Sequence, residues 1–385
     1  MHWYVYQKTL VMFIAIVLTY ALNFIPAKAQ AQQFSKIGFN NFSNDKLIQL
    51  QESAEKLRLE GQLAESAAVY QELFLAIRAN LGLYTEQQFV VLDRLIALEI
   101  DCRDWESLNQ HLSYQEWLSK RLYADNPVAL SEQLQANSRH RMRAASYQQG
   151  PQRSWHIVQA RTHLWRAVST LEKIPAQSGR LPDLWFQIAN FHYALTNDAQ
   201  RWRTSFEART DEPVLISGWA LGANEVEQRS YEIGLELLQK IYSYYNLQPE
   251  PQGIDSHVLA ATLLSYQGDW ELLFDQSHRA LYFYEQAIEF SSRSPCAAEL
   301  ENFLFGNNVE VPVYHLNVTR ATCEFIRHST RPEQSKSTST LADVDESLKS
   351  LYGQPKVRPK RKNGRWMSES LISDISLVAG ENLDD

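Results

Sequence analysis

Asp275-Gln276-Ser277-His278-Arg279-Ala280-Leu281-Tyr282-Phe283-Tyr284-Glu285-Gln286-Ala287 is the stretch whose spacing decides the fold. Asp275 opens a frame in which Ala280, Tyr284 and Ala287 follow at helical intervals, so that they share one face of a helix. The same frame runs earlier as Gly61-x-Leu63-x-x-Ser66-x-x-x-Tyr70-x-x-Leu73. Forty-two residues after Gly61 it returns, less cleanly, as Arg103-Asp104-Trp105-x-x-Leu108-x-x-x-Leu112. Around these copies the chain from Asn44 to about Phe290 is rich in Leu, Ala, Gln, Glu and Arg, all good helix formers. Leu63, Ala67, Tyr70, Leu73, Phe74 and Ile77 form one apolar stripe, and Val91, Leu95, Leu98 and the polar Glu99 another. Strand-like alternation is scarce before residue 311.

The small-x3-aromatic-x2-small core of 280–287 resembles the turn and second helix of a tetratricopeptide repeat. In that family a small residue sits where paired helices cross, and larger ones fill the groove beside it. The resemblance implies a mainly α fold, an array of helical hairpins over residues 44–290, because one hairpin cannot bury its own apolar face. Asp104-Trp105-Glu106 and Asp269-Trp270-Glu271, 165 residues apart, suggest two clusters of hairpins joined by a divergent middle over 127–223. The acidic residues of both triplets read as helix caps at repeat turns. How many true repeats there are stays open.

The middle is punctuated by Gly150-Pro151, Pro175 and Leu181-Pro182. Trp155, Trp165, Trp185, Phe186, Phe191, Tyr193 and Trp202 make it aromatic. Core packing is their expected use, with a ligand-lining surface as the alternative.

After Ser294-Pro295 the pattern changes. Tyr314, Leu316 and Val318, then Ala321, Cys323 and Phe325, alternate as two strands paired around Thr319-Arg320. A helix capped by Thr340 presents Leu341, Val344, Leu348, Leu351 and Tyr352 on one face and stops at Gly353. Strands over 356–361 and 366–377 flank Asn363-Gly364, a strong hairpin signal. This ββαββ order, with Val357-Arg358-Pro359 before Asn363-Gly364, resembles the TonB-like C-terminal domain. It implies a small α+β domain over residues 296–385 with a habit of binding proteins. The family's aromatic before Arg-Pro is replaced by Val357, and its membrane anchor and Pro-rich linker have no counterpart, so the resemblance does not extend to proton-motive-force transduction.

At the other end, the apolar run from Leu10 to Ile25 is short for a membrane span, Pro26 breaks it, and Ala27-Lys28-Ala29 offers a signal-peptidase site. Residues 1–29 therefore read as a signal peptide cleaved after Ala29, and the protein as periplasmic or secreted. An anchor through residues 10–25 is the alternative. Cleavage removes Lys8 and Lys28 and shifts the net charge from −8 to −10, which argues against general nucleic-acid binding. Of Cys102, Cys296 and Cys323, at least one is left over from any pairing. Buried thiols are the preferred reading, and a Cys296–Cys323 bridge is the alternative.

Reactive constellations are scarce. His156 and His163, two helical turns apart, share a face without carboxylates at ligand spacing. Gly-x-Ser-x-Gly, His-Glu-x-x-His and phosphate-cradling glycine loops are absent from the sequence. No catalytic, cofactor-binding or metal-ligating residue is implied. Two basic runs remain: Arg139, His140, Arg141 and Arg143 on a helix, and Lys356, Arg358, Lys360, Arg361, Lys362 and Arg365 around the terminal hairpin. Alternation in a strand would place Lys356, Arg358, Lys360 and Lys362 on one side, to meet an anionic partner or to protect an edge. The expectation is a non-enzymatic envelope adaptor binding protein partners, with Lys360, Arg361, Lys362 and Arg365 in contact. Alternatives are a glycan-active enzyme with its site in the aromatic middle, and a membrane-anchored TonB-type coupler.

Overall fold

The structure is a computed structural model that describes residues 44–206, 215–216, 219–220, 223–247, 255–306, 310–311, 316, 322–329, 346–353, 356–362 and 365–366. The signal segment and Ala29, the strand expected over 314–318 except Leu316, the Thr340 cap and the last strand beyond Trp366 lie outside the described residues. The fold is mainly helical: α1 (Asn44–Leu59), α2 (Leu63–Leu81), α3 (Gln87–Cys102), α4 (Trp105–Leu122), α5 (Pro127–Tyr147), α6 (Pro151–Leu171), α7 (Leu181–Phe206), α8 (Ala223–Leu247), α9 (Ser256–Leu273), α10 (Ser277–Ser292) and α11 (Ala297–Phe305). No helix among the described residues is long and apolar enough to cross a membrane.

Two compact units divide the chain, residues 1–91 and 92–385. In the first, α1 and α2 form a hairpin. In the second, α4 packs on α5, α5 on α6, α6 on α7, α7 on α8, α8 on α9, and α9 on α10, with α11 closing against α10. The prolines begin helices rather than interrupt them. Pro127 and Pro151 occupy first-turn positions, where an amide hydrogen has no helical partner to lose.

Three hairpins share one turn. Gly61, Arg103 and Asp275 take left-handed backbone, with φ of 77°, 59° and 60°. Each donates its amide three residues back, and the next residue donates five back: Gln62 N to Leu57 O at 2.9 Å, Asp104 N to Glu99 O at 2.9 Å, Gln276 N to Glu271 O at 2.9 Å. These paired bonds close the last turn of one helix, and the second donor at once caps the next. The frame read from the sequence starts at these same three residues. Its +5 positions (Ser66, Leu108, Ala280), +9 positions (Tyr70, Leu112, Tyr284) and +12 positions (Leu73, Gln115, Ala287) are all at most 2% exposed. At the crossing point Ser66 Oγ donates to Ala54 O at 2.8 Å. In the last hairpin Gly268 takes the place of Ala54, seven residues before the turn, and a Cβ there would stand 2.4 Å from the Tyr284 ring.

The Asp-Trp-Glu duplication does not hold. Asp104 does cap α4, its Oδ1 accepting from Ser107 N at 3.2 Å. Asp269-Trp270-Glu271 lies inside α9, and the turn comes at Asp275. Three letters matched, but the backbone geometry around them differs.

The C-terminal part corrects three further expectations. Cys323–Ser329 is a helix, α12, rather than a strand. Thr322 Oγ1 accepts from Phe325 N at 3.2 Å and Thr322 O from Ile326 N at 3.1 Å, so capping overrides the alternation of Ala321, Cys323 and Phe325. Cys296 and Cys323 form a disulfide with their Cα atoms 5.6 Å apart, and Cys102 is exposed, so the reading of three buried thiols fails. The ββαββ order is therefore not what the described residues show. They contain a short helix α13 (Glu346–Lys349) and two-residue ladders. β1 (Leu215–Ile216) pairs with β2 (Trp219–Ala220), β3 (Glu310–Val311) with β4 (Lys356–Val357), and β5 (Arg361–Lys362) with β6 (Arg365–Trp366), all antiparallel. The last ladder brackets positions 363–364 as expected of Asn-Gly. Gly353 has φ 74° and follows the buried Leu351 and Tyr352, also as expected.

Two substitutions test the shared turn in opposite directions. Arg103→Gly relieves a left-handed non-glycine residue and is expected to stabilise the fold by about 0.5–1 kcal/mol. Gly268→Ala drives a methyl into the Tyr284 ring and is expected to cost about 1–3 kcal/mol. Urea midpoints at constant slope measure both, and a lower midpoint for Arg103→Gly contradicts the turn assignment.

Candidate functional site

The terminal basic residues divide between the interior and the surface. Arg358 is 4% exposed, as is Asp269, and the two form a bidentate pair: Nε to Oδ1 at 2.6 Å and Nη2 to Oδ2 at 2.5 Å. Tyr284 donates to the same Oδ1 at 3.0 Å, and Arg358 Nη1 donates to Leu304 O at 3.3 Å. Burial works against the guanidinium charge, but the Asp269 carboxylate outweighs it and holds Arg358 above its ordinary pKa. Burial, reinforced by Asp269, keeps the Tyr284 phenol protonated far above its usual range.

The rest of the segment is tied down on either side. Lys356 Nζ donates to Leu272 O (2.9 Å) and Leu273 O (3.1 Å), carbonyls of the last turn of α9, and pairs with Asp275 at 2.6 Å. Asn197 Nδ2 and Arg201 Nη1, both on α7, donate to the carbonyls of Tyr352 (3.0 Å) and Ser350 (2.9 Å). Arg361 bonds Glu301 at 3.1 Å and lies 5.9 Å over the Trp366 ring, which packs against Tyr284 and Phe305.

Lys356, Arg358 and Lys360 therefore do not form one charged strand face. β4 ends at Val357, Lys356 and Arg358 face α9, and Lys360 is exposed. Of the four expected contact residues, Lys360 is exposed, and Arg361 is engaged within the chain. The side chains of Lys362 and Arg365 lie outside the described residues. Sequence reading missed Asp269, Tyr284 and Arg358 as a set. A carboxylate within the apolar run of α9 was the available clue.

The covered helix is unusual. Every residue of α9 from Val258 to Leu273 is buried, including Thr262, Ser265, Gln267, Asp269 and Glu271. Glu271 accepts from Tyr231 OH at 2.9 Å, and Arg279 donates to that hydroxyl at 2.6 Å. Burial raises the Glu271 pKa. A small cavity lined by Phe186, Asn190, Tyr266, Asp269 and Trp270 adjoins the ion pair.

A second polar cluster lies between α4, α5 and α6. The other basic run breaks up here: His140 reaches Asp93 (3.1 Å), Arg143 reaches Asp101 (2.7 Å), and Arg141 turns inward. Arg141 donates to Asn109 Oδ1 at 2.9 Å, meets His156 Nδ1 at 3.4 Å and lies 4.5 Å under the half-exposed Trp155 ring. Burial lowers its pKa to about 10. His156 and His163 do share an inward face. Burial, with Arg141 nearby, depresses them to about 3 and about 4. Burial takes His192 on α7 to about 3. Glu116, bonded to Lys120 and Arg166, is lowered to about 2 although burial opposes this. Asn137 Oδ1 and Nδ2, Arg141 Nε and His163 Nδ1 are buried without a hydrogen-bond partner. No three His, Cys, Asp or Glu side chains among the described residues are grouped to hold a metal ion.

The aromatic residues of the middle have two fates. Trp185, Phe186, Phe191 and Tyr193 are core, whereas Trp155 and Trp165 are 43% and 36% exposed. Trp155 stands beside Arg141, and Trp185 beside Lys240 at 4.3 Å. Neither a family model nor a curated protein sequence matches the chain.

Removing either partner of the Asp269–Arg358 pair strands the other charge. Asp269→Ala and Arg358→Ala are each expected to cost about 3–5 kcal/mol, and the double variant much less than their sum. Denaturation cycles measure the coupling, and additive losses contradict it. The depressed histidines set a pH dependence. They are neutral in the fold, so the unfolded chain gains protons first as pH falls below 6.5, and stability drops from there towards pH 4. The raised carboxylate of Glu271 acts in the opposite sense. His163→Gln is therefore expected to flatten the loss between pH 6.5 and 5 in a melting series, and an unchanged slope contradicts the assignment.

Proposed function

We propose that the chain is a non-enzymatic adaptor of the cell envelope, carried there by a signal peptide ending at Ala29. Its helical hairpins, of the tetratricopeptide kind, bind a protein partner. The observation that carries this reading is the common turn at Gly61, Arg103 and Asp275 with its shared buried frame, because hairpins built to stack offer successive helices as a contact surface. The Cys296–Cys323 bridge fits an oxidising compartment.

A TonB-like order for 296–385 agrees with the β5–β6 ladder and disagrees with the helix at Cys323–Ser329. The C-terminal residues thus enter the proposal as a segment docked on α7 and α9 rather than as a partner-reading module. Partner contact moves to the exposed aromatics Trp117 on α4 (46% exposed) and Trp165 on α6, next in sequence to the bonded pair Glu116 and Arg166. Tryptophan and arginine are over-represented at the centres of protein interfaces.

The test is a photo-crosslinking amino acid placed at 117 or 165 in the full chain made in cells, with position 247 as an exposed control. A discrete adduct with one envelope protein from 117 or 165 but not from 247, on a mature chain starting near Gln30, is the expected result. No adduct from either position, or a chain retaining Met1, overturns the reading.

A further inference from the structure

Arg358 and Arg141 are both buried guanidiniums, and they differ in what meets one edge. The Nε–Nη2 edge of Arg358 takes both oxygens of Asp269. The hydrogen bonds of Arg141 all leave from Nη1, to Asn109 Oδ1 at 2.9 Å and to His156 Nδ1 at 3.4 Å. Its Nε is buried without a partner, and no acceptor among the described residues meets Nη2. The surrounding carboxylates are taken: Asp93 by His140, Asp101 by Arg143, and Glu116 by Lys120 and Arg166. Burial lowers the pKa of Arg141 to about 10, which leaves it charged at neutral pH. A buried charge without a counter-ion is costly, and the edge left over is the two-donor fork that a carboxylate fits.

Two further observations point the same way. Asn137 lies one turn before Arg141 on the same face of α5, and its Oδ1 and Nδ2 are both buried without a partner. The Trp155 ring lies 4.5 Å over the guanidinium and is 43% exposed, so Arg141 sits one ring's thickness beneath the surface on that side. Only ring contacts, with Arg141 and His156, hold the indole among the described residues.

We propose that Arg141 and Asn137 form a binding site for a carboxylic acid, whose two oxygens take Nε and Nη2 of Arg141 and whose apolar body packs on Trp155 after the indole moves aside to admit it. One guanidinium charge and one amide N–H suit a planar, singly charged anion with two oxygens. A phosphate dianion needs a second cation, and Lys120 and Arg166 are spent on Glu116. The acid is either a free molecule or the acidic side chain of a partner lying across α4 and α6, where Trp117 and Trp165 stand exposed. The site itself does not rest on the adaptor reading.

The probes are acetate and phenylacetate, compared with inorganic phosphate and with sodium chloride at matched ionic strength. The full chain is labelled with 5-fluorotryptophan, and fluorine NMR follows its indoles, with Trp155→Phe assigning the signal of residue 155. The expected result is a saturable shift of that signal with both acids and none with chloride, phenylacetate saturating at a concentration about threefold lower because its ring packs on the indole. Arg141→Lys keeps the charge but loses the fork and is expected to weaken acetate about tenfold. Asn137→Leu is expected to weaken it about threefold while melting no lower than the parent, since it removes polar atoms that have no partner. No saturable shift with either acid overturns the proposal, as does tighter binding of phosphate than of acetate, or equal binding by Arg141→Lys. The titration of the parent chain decides by itself if a variant fails to fold. Arg141→Lys combined with the crosslinker at 165 separates the two sources. Loss of the adduct makes the acid a partner's side chain, and an unchanged adduct makes it a free molecule. No adduct from the parent sinks the adaptor reading and leaves the carboxylate site to the NMR titration.

Discussion

The Asp269–Arg358 pair governs how the second unit is put together. A carboxylate in the middle of a fully buried helix is costly unless a cation with complementary geometry covers it, and a lysine or a surface arginine would not satisfy both oxygens. Arg358 supplies both bonds, and Tyr284 takes up a further lone pair on Oδ1. The pair therefore couples three stretches far apart in sequence: α9, the following helix α10, and a segment some ninety residues on. The bonds from Lys356, Asn197 and Arg201 reinforce the same placement, and Trp366 closes over Tyr284.

The hairpins themselves rest on a different constraint. A helix that must reverse within one residue needs left-handed backbone at the turn, and glycine is the residue that adopts it at least cost. Gly61 meets that need directly, while Arg103 and Asp275 adopt the strained conformation as ordinary residues. This explains why the frame was legible from apolar spacing but not from its turn residue, which differs in every copy. The +5, +9 and +12 positions carry Ser, Leu or Ala, then Tyr or Leu, then Leu, Gln or Ala, all buried. Burial on one face is common to the copies; side-chain identity is not.

Charge was the least legible feature. Runs such as 139–143 and 356–365 look like exposed patches when side chains are counted along the chain. Yet Arg141 and Arg358 are both buried while their neighbours reach Asp101 or solvent. Neighbours on a helix diverge by about 100° each, so one basic run samples interior and surface alike. The histidines show the converse. Two turns of spacing placed His156 and His163 on one face correctly, but burial beside Arg141, which no spacing reveals, is what makes them neutral.

By itself the sequence determined the helical class, the hairpin frame at residues 61, 103 and 275, the breaks between helices at the prolines and the ladder around 363–364. Each is a local matter of propensity, periodicity or turn chemistry acting over fewer than about twenty residues. Only the tertiary structure decided that Asp269 lies within a helix rather than at a turn, that Cys296 bonds Cys323, that residues 323–329 are helical, and that the terminal arginine faces inward. Those outcomes depend on pairing groups distant in sequence, whose energies exist only once desolvation and geometry are fixed together.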